Sequence, residues 1–443
     1  MIPLGFLMLI LVGTLLLLLP FSTAPGEKTD FLTALFTSTT STCVTGLVVV
    51  DTFSHWTVFG QIVILILIQF GGLGIIAVAS AVILALKKKF SYRERLLIRD
   101  AFNLNSGSGL VKFLLRVLRG VFLVELLGTI LYLPAFIPSY GLKGLWISIF
   151  TSVSAFCNAG LDVIGPNSLI PFQNNPLVLI VTMFLIITGG LGYVVWFDLS
   201  TNVVDTVRKR RSLFRFFHRL SEHTKLVLFM TAVLTIGGAV AVFFMEYQNP
   251  ETIGNLSLGE KILNSIFQSV TFRTAGFATI PQENLTHGTG ILGLVLMFIG
   301  GSPVGTAGGV KTVTVALLVL NVVSFIRDRK ETLVFKRNVP ETLIRKATAI
   351  VSVSLFVTFL FSVLITATNG LNGIDALYEV TSAAATVGLS RAVTPTLNTI
   401  GRIMITFCMF FGRIGPISMA LFFSAGTSKT KHLAHAEGNF FVG

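Results

Sequence analysis

Four glycines recur along the chain at nearly equal intervals. They are Gly46, Gly160, Gly276 and Gly388, and the gaps between them are 114, 116 and 112 residues. Each glycine closes a short run of small and hydroxyl-bearing residues and is followed by a large apolar residue. Repetition at a fixed period indicates several copies of one structural unit that bury a shared core. The sequence therefore predicts four related units around a common axis, an arrangement that suits a pore.

A second series of glycines is in phase with the first. Its members follow the four glycines above by 25, 29, 24 and 24 residues. They are Gly71, Gly189, Gly300 and Gly412. Two glycine positions that recur in all four copies favour a true repeat over coincidence.

The composition predicts a membrane protein. Of the 443 residues, 53% are hydrophobic and 12% are charged, whereas charged residues make up about a quarter of a typical soluble domain. Apolar stretches of roughly 20 residues, the length that crosses ~30 Å of hydrocarbon as a helix, recur about eight times. The predicted spanning helices are 2–20, 57–86, 112–137, 176–204, 224–246, 290–326, 345–368 and 397–425.

A shorter and more polar segment lies between the two spanning helices of each unit. These segments are too short to span but long enough for a re-entrant helix, and they are 30–41, 142–155, 258–271 and 373–384. The predicted fold is an all-α integral membrane protein with four pseudo-symmetric helix–pore-loop–helix repeats around one central pore. It has eight transmembrane helices and four re-entrant pore helices. The repeats cover 1–100, 101–220, 221–340 and 341–443.

The basic residues indicate which face is cytoplasmic. Of the 33 lysines and arginines, 25 lie in four segments, 87–119, 208–225, 327–346 and 429–431. By the positive-inside rule, these segments and both termini are cytoplasmic. We do not expect nucleic-acid binding, because the clusters lie in short loops between helices, where they suit anionic lipid or an acidic partner. The opposite face has an acidic bias that would concentrate cations at a pore mouth.

The glycine-closed runs have the chemistry of a filter for a dehydrated cation. A cation in a narrow pore exchanges water oxygens for protein oxygens, and backbone carbonyls supply them without a fixed charge. Glycine permits the unusual dihedral angles that turn successive carbonyls towards one axis. The candidate filter residues are Thr42, Cys43, Val44, Thr45, Gly46, Asn158, Ala159, Gly160, Thr274, Ala275, Gly276, Thr386, Val387 and Gly388.

The predicted sixth helix contains a dense group of helix breakers. Residues 300–311 include five glycines and a proline, which should interrupt a helix. The interruption would lie directly below the third glycine run, so we expect a mobile intramembrane gate there. A partial match to a phosphate-binding loop at 305–312 lacks the required glycine, and we expect no nucleotide site. The candidate gate residues are Gly300, Gly301, Gly305, Gly308, Gly309 and Lys311, together with Arg413 in the last helix.

These motifs resemble those of the Trk/Ktr/HKT superfamily of potassium transporters. The resemblance covers essentially the whole chain, and the eight-helix plan is similar to that of KtrB-type membrane subunits. Each loop resembles a shortened potassium-channel signature, most plainly at Thr386-Val387-Gly388. In the family, glycine at all four filter positions goes with potassium permeation, and serine in the first loop goes with sodium preference. Because Gly46 occupies that first position, the resemblance implies potassium at the filter carbonyls.

The resemblance also implies features of assembly and control. It implies potassium uptake across the plasma membrane of a bacterium, a homodimer, and a cytosolic nucleotide-sensing ring of KtrA-type subunits on the basic face. No cofactor is expected in this chain, and Na⁺ as an activator is left open. Arg413 matches a basic residue beneath the filter in the family, where a cation would restrain leak or assist the gate.

Two other classes of function are alternatives. A membrane enzyme needs a cluster of His, Asp or Glu at membrane depth, which the sequence lacks, so we do not expect an enzyme. A secondary active cation transporter with an enclosed alternating-access site also uses broken helices, but usually in inverted pairs, whereas these repeats are parallel. This alternative stays open. The remaining intramembrane charges, Glu125, Asp198 and Arg273, are expected to be paired.

Overall fold

The computed structural model describes residues 2–74, 110–208, 213–329 and 331–415, and most of these residues are helical. Two short antiparallel strands, Leu333–Val334 and Arg337–Asn338, form a hairpin with Leu333 opposite Asn338. The α-helices are α1 (Ile2–Leu17), α2 (Phe31–Cys43), α3 (Thr52–His55), α4 (Val58–Leu73), α5 (Leu110–Tyr140), α6 (Lys143–Cys157), α7 (Pro176–Gly190), α8 (Tyr193–Arg208), α9 (Leu213–Arg219), α10 (Glu222–Glu246), α11 (Leu258–Phe272), α12 (His287–Phe298), α13 (Thr312–Ile326), α14 (Glu341–Asn369), α15 (Gly373–Ala384) and α16 (Thr399–Ile414).

Four helices of 12 to 15 residues occupy the segments for which the sequence predicts short helices: α2, α6, α11 and α15. Three of them begin at a side-chain cap. Asp30 accepts a hydrogen bond from Thr33 N, Asn372 accepts one from Ile374 N, and Ser257 forms a capping box with the residue three positions later. Each cap stabilises the start of its helix by about 1 kcal/mol.

Packing between the helices closes into a ring. Each short helix packs against two helices of its own unit: α2 on α1 and α4, α6 on α5 and α7, α11 on α10 and α12, and α15 on α14 and α16. In addition, α4 packs on α6, α7 on α11 and α12 on α15, and α16 returns to α2. Each of these contacts joins the helix that follows one glycine run to the short helix that precedes another. The four short helices are therefore held around a common centre.

Glycines let the preceding long helix approach the short helix closely at three places. The contacts are Gly13 with Ser38, Gly128 with Ser152, and Gly238 with Ser269. Each serine hydroxyl donates to a carbonyl of the long helix, at 2.7, 2.6 and 2.8 Å. A side chain at any of the three glycines would overlap the serine oxygen. Close backbone approach with an added hydrogen bond is how apolar helices associate without a hydrophobic driving force.

Helix length alone identifies fewer spanning helices than the eight predicted. Among the described residues, three helices are long and apolar enough to cross a membrane, or four if one bent pair counts as a single span. The three are Phe113–Tyr140, Glu222–Glu246 and Glu341–Asn369. The C-terminal parts of the predicted spans 57–86 and 397–425 lie outside the described residues.

Two of the predicted spans are not single helices. The prediction of one helix over 176–204 is wrong, because α8 leaves the end of α7 at an angle of 101°. Gly192 stands at this corner with a φ of 91°, a left-handed conformation that glycine adopts without steric cost. The span 290–326 is divided into α12 and α13, so the predicted interruption of the helix is confirmed.

Candidate functional site

The four glycine runs share an unusual backbone conformation. In each run the glycine and the residue two positions before it have φ in the left-handed region. The glycines have φ values of 98°, 66°, 84° and 96° in chain order. The residues before them are Val44, Asn158, Thr274 and Thr386, with φ values of 56°, 58°, 66° and 51°. Val44, Thr274 and Thr386 are β-branched and rarely take this conformation, so the surrounding structure must hold them there.

The four glycines lie side by side in a closed ring, here called the glycine ring. A Cβ built on Gly46 would lie 3.2 Å from the Cα atoms of both Gly160 and Gly388. A Cβ built on Gly276 would lie 2.8 Å from the Cα of Gly160 and 3.4 Å from that of Gly388. A side chain at any of the four positions would therefore overlap neighbouring backbone, so this arrangement requires glycine.

Four carbonyl oxygens gather at the glycine ring. Each ring glycine faces the carbonyl of the residue that precedes a neighbouring ring glycine. The pairs are Gly46 with Ala159 O, Gly160 with Ala275 O, Gly276 with Val387 O, and Gly388 with Thr45 O. Each of the four runs contributes one of them, and together they offer uncharged oxygen ligands around one centre.

Hydroxyl groups of the short helices anchor two of the runs. The backbone N–H of Gly46 donates to Thr40 Oγ1 at 3.0 Å, and that of Gly388 donates to Ser382 Oγ at 3.1 Å. Buried backbone donors need such partners where no regular secondary structure supplies them. These bonds help to hold the left-handed conformation of the runs.

The predicted filter threonines differ in their bonding. The hydroxyl oxygens of Thr42, Thr45 and Thr386 are buried and have no hydrogen-bond partner within the described structure. The Thr274 hydroxyl instead accepts a hydrogen bond from the Gly308 N–H at 3.2 Å, which ties the third run to the segment after α12.

Two other predicted filter residues direct their side chains into apolar clusters. Cys43 is fully buried in a cluster that contains Phe36 and Ile365, and Val387 is fully buried in one that contains Phe272 and Tyr378. These side chains pack the ring from outside. Only their backbone atoms can serve a ligand at the ring.

A cavity of about 180 Å³ lies on one side of the glycine ring. It is lined by the four glycines and by residues that follow them in the chain, including Asp51 and Asp162. Asp51 Oδ2 accepts from the Ser54 N–H at 3.0 Å, and Asp162 Oδ1 accepts from the Ile164 N–H at 3.2 Å. Burial raises the pKa of Asp162 to about 6.

Residues 299–311, called the intramembrane segment, fold back on themselves between α12 and α13. The Gly300 N–H donates to Val310 O at 3.1 Å, and the Gly301 N–H donates to Gly308 O at 3.2 Å. A Cβ on Gly300 would overlap Gly308 O, and Gly309 has a φ of 67°. The glycines thus allow a compact turn whose hydrogen bonds replace those of a helix.

Two further predicted gate residues fix the intramembrane segment. Lys311 Nζ donates to the carbonyl oxygens of Ala307 at 2.7 Å and Gly308 at 3.3 Å. Gly305 lies against the end of α7, where an added Cβ would be 3.0 Å from Gly189 O. The Lys311 bonds stabilise the fold of the segment itself, whereas the contact of Gly305 places the segment against α7.

The intramembrane segment lies across the glycine ring from the cavity. It contacts residues that precede the ring glycines, whereas the cavity is lined by residues that follow them. The Thr306 hydroxyl lies 2.9 Å from Asn158 Oδ1 and 3.1 Å from Phe156 O. Gly308 lies directly against Thr386 Oγ1. The Gly308 N–H also donates to the Thr274 hydroxyl of the third run. The segment therefore touches the second, third and fourth runs.

Arg413 connects the intramembrane segment to the first unit. Its Nη1 donates to Thr306 O at 2.6 Å, and its Nη2 donates to Gly71 O and, at 3.4 Å, to Gly72 O. No carboxylate pairs with Arg413 within 2–74, 110–208, 213–329 and 331–415. Its charge is held by carbonyl oxygens of two separate elements.

Nearly the whole chain matches one family of known proteins. The model of the TrkH family, described as cation transport protein, matches residues 6–431. The chain belongs to the TrkH family of cation transport proteins. This membership identifies a transporter and agrees with the expectation that the chain is not an enzyme.

TrkH-family relatives align over nearly the full length of the chain. Ktr system potassium uptake protein B of Bacillus subtilis is 37% identical, over 100% of this chain and 96% of that protein. Potassium/sodium uptake protein NtpJ of Enterococcus hirae is 36% identical, over 95% of this chain and 91% of that protein. The potassium transporter TrkH from Vibrio parahaemolyticus has a matching structure, with a TM-score of 0.73 over 95% of this chain and 84% of that one. At 17% identity, the structural match establishes the TrkH fold.

Sequence reasoning missed several residues at this TrkH-family site. Thr306 bridges the intramembrane segment and the second run, and its signal was only a hydroxyl among glycines. Three of the runs are followed by a helix that has a left-handed glycine at or just beyond its end. These glycines are Gly74, Gly192 and Gly415, with φ values of 85°, 91° and 83°. Each lies three residues after a phased glycine. The constant spacing of three residues is visible in the sequence, but a hydropathy average over a window of residues does not reveal it.

Proposed function

We propose that the chain is the pore-forming subunit for selective potassium uptake across the plasma membrane. The observation that carries this proposal is the ring of four left-handed glycines with a carbonyl oxygen beside each. Four carbonyls around one centre can replace part of the hydration shell of a cation without trapping it by a fixed charge. On this proposal the units 1–100, 101–220, 221–340 and 341–443 are repeats, and each contributes one run.

The proposed ion path begins at the cavity. The carboxylates of Asp51 and Asp162 raise the local concentration of cations there. The carbonyls of the glycine ring then dehydrate the ion, with the unpartnered hydroxyls of Thr45 and Thr386 as additional oxygen ligands. The short helices end at the runs, so the negative ends of their dipoles also favour a cation at the centre.

Potassium is the proposed permeant ion on two grounds. The Bacillus relative is named a potassium uptake protein, and the Enterococcus relative a potassium/sodium uptake protein. Gly46 stands at the loop position where, in the superfamily that the chain resembles, serine goes with sodium preference. The name of the Enterococcus relative supports Na⁺ as a second permeant ion or an activator.

The intramembrane segment is the proposed gate. It contacts three of the runs on the side of the ring opposite the cavity, so its displacement would open the path without rebuilding the ring. Arg413 holds it in place by bonding Thr306 O of the segment and Gly71 O of α4, and Lys311 stabilises its internal fold. The Arg413 guanidinium is cationic, so it also opposes the leak of cations along the path.

We further propose that a cytosolic ring of KtrA-type subunits senses a nucleotide and docks on the basic face. The Bacillus relative is named as part of a Ktr system, which supports a second component. Arg208, Arg219, Arg327 and Arg329 are exposed on this face, and the basic segment 87–109 lies outside the described residues. The chain itself holds no cofactor in this proposal, forms a homodimer in the inner membrane of a bacterium, and has both termini in the cytoplasm.

Ion flux into liposomes tests the proposed function. The purified chain is reconstituted, and the initial rates of K⁺, Rb⁺ and Na⁺ uptake are compared, first alone and then with the cytosolic regulator added. We expect K⁺ and Rb⁺ to enter faster than Na⁺ down their own gradients. Equal rates for K⁺ and Na⁺ in both arms would contradict a selective filter. Flux that requires the gradient of a second substrate would favour the enclosed alternating-access transporter.

A further inference from the structure

A small cavity lies behind the glycine ring, at the junction of the second and third units. Its volume is about 10 Å³, close to the minimum that holds one water-sized particle. It is lined by the side chains of Asn158, Thr231 and Arg273 and by Gly190 and Gly301. These residues come from the second run, α10, the end of α11, the end of α7 and the intramembrane segment. The cavity therefore lies where three helices, the second run and the proposed gate meet.

Three buried polar atoms of the lining side chains have no hydrogen-bond partner in the described structure. They are Asn158 Nδ2, Thr231 Oγ1 and Arg273 Nε. Asn158 is 1% exposed and Arg273 is 8% exposed, so bulk water does not satisfy them. Amide nitrogen and guanidinium nitrogen only donate hydrogen bonds, and a hydroxyl can also donate. Three unpartnered donors around one cavity indicate a ligand that accepts.

The charge of Arg273 indicates that the ligand is an anion. Its Nη1 donates to the neutral hydroxyl of Thr235 at 3.2 Å. Among the ion pairs of the described residues, none includes Arg273, so the expectation of a charged partner within the chain is wrong for this residue. A buried cation without a counter-charge is costly and is retained where an anion compensates it. Water would fill the space but would leave the charge uncompensated.

We propose that this cavity binds a single chloride-sized anion, held by Arg273 Nε–H, the Asn158 amide and the Thr231 hydroxyl. The volume excludes phosphate and carboxylates, which have several heavy atoms. Because Gly301 of the intramembrane segment also lines the cavity, the bound anion stabilises the packing of this segment against the second and third runs. The site does not depend on which cation the protein transports.

The first test is crystallographic. Crystals of the full chain grown with bromide in place of chloride are examined for anomalous scattering between Arg273, Asn158 and Thr231. We expect a bromide peak at this position. Density for water alone, without an anomalous signal at high bromide concentration, would overturn the proposal.

The second test compares thermal unfolding in potassium chloride and potassium gluconate at equal ionic strength. A ligand that binds only the folded state raises the unfolding midpoint, and we expect chloride to raise that of the wild type by roughly 2 °C or more. Arg273→Gln should abolish the difference, and Thr231→Val should weaken the chloride response about tenfold in concentration.

The control Arg402→Gln should behave as wild type, because Arg402 Nε donates to Leu397 O, away from the cavity. An equal chloride response in Arg273→Gln and Arg402→Gln would contradict the site. If Arg273→Gln does not fold, the bromide experiment on the wild type still decides.

Discussion

Replacing Arg413 by glutamine should release the intramembrane segment. Arg413 donates to Thr306 O on the segment at 2.6 Å and to Gly71 O and Gly72 O on α4. A hydrogen bond from a charged group contributes about 1.5–3 kcal/mol. Glutamine lacks the charge and the forked donor, so it cannot bridge the two elements. We take the net loss as about 2 kcal/mol, one such bond, which corresponds to a roughly 30-fold rise in the ratio of open to closed protein.

The assay is potassium flux into liposomes without a regulator. We expect the initial rate of Arg413→Gln to exceed that of the wild type by about tenfold or more, with the ratio of K⁺ to Na⁺ flux unchanged because the glycine ring is intact. Arg402→Gln is the matched control. Arg402 lies on the same helix, about 16 Å along the axis from Arg413, and its Nε donates to Leu397 O at 3.0 Å.

One result would refute this reasoning. If Arg413→Gln folds with wild-type thermal stability and its flux equals that of the wild type and of Arg402→Gln, the bonds of Arg413 do not restrain the segment. Arg413 would then have a purely structural role.

Three further predictions concern the gate and the cavity. Deletion of Gly305–Gly309 should give flux that no longer needs activation, and flux equal to wild type with and without a regulator would count against the gate. Asp162→Asn should raise the potassium concentration for half-maximal flux about threefold at pH 7.5, because one negative charge near the ion path is lost. In the wild-type protein this potassium concentration should rise in the same way as pH falls below about 6, where Asp162 becomes protonated. The Asp162→Asn variant should show no such rise. A pH response shared by both proteins would show that Asp162 is not its source. Thr306→Val should lower the free energy of unfolding by about 1 kcal/mol and raise basal flux, whereas Thr188→Val, whose hydroxyl bonds only its own helix, should leave flux unchanged.

The positions of the glycines and short helices could be predicted because they depend on local backbone chemistry. Glycine takes a left-handed φ without steric cost at Gly46 and its counterparts, and caps such as Asp30 and Ser257 mark where short helices begin. The dense breakers after α12 likewise identified a real interruption. Each of these features leaves its signal within a few residues of sequence.

The remaining contacts could not be predicted because they join distant parts of the chain. Arg413 bonds Gly71 across 342 residues, and Thr306 bonds Phe156 across 150. No periodicity encodes such pairs. The corner at Gly192 was missed for a different reason: both α7 and α8 have apolar segments, and hydropathy carries no information on the direction of a helix. Arg273 was expected to have a charged partner, but no local pattern specifies what lies beside a buried side chain.

The most direct test of the central claim is the ratio of K⁺ to Na⁺ flux in Gly46→Ser, with Gly26→Ser as control. Both glycines have left-handed backbones, with φ values of 98° and 91°, but a Cβ on Gly46 would lie 2.5 Å from Ala159 O, whereas nothing lies within 4 Å of one on Gly26. The two variants therefore share the backbone strain and differ in their effect on the glycine ring. If the ring selects the ion, the flux ratio falls about tenfold or more in Gly46→Ser and stays at the wild-type value in Gly26→Ser. An unchanged ratio in a folded, conducting Gly46→Ser protein would place the selective path elsewhere and contradict the account.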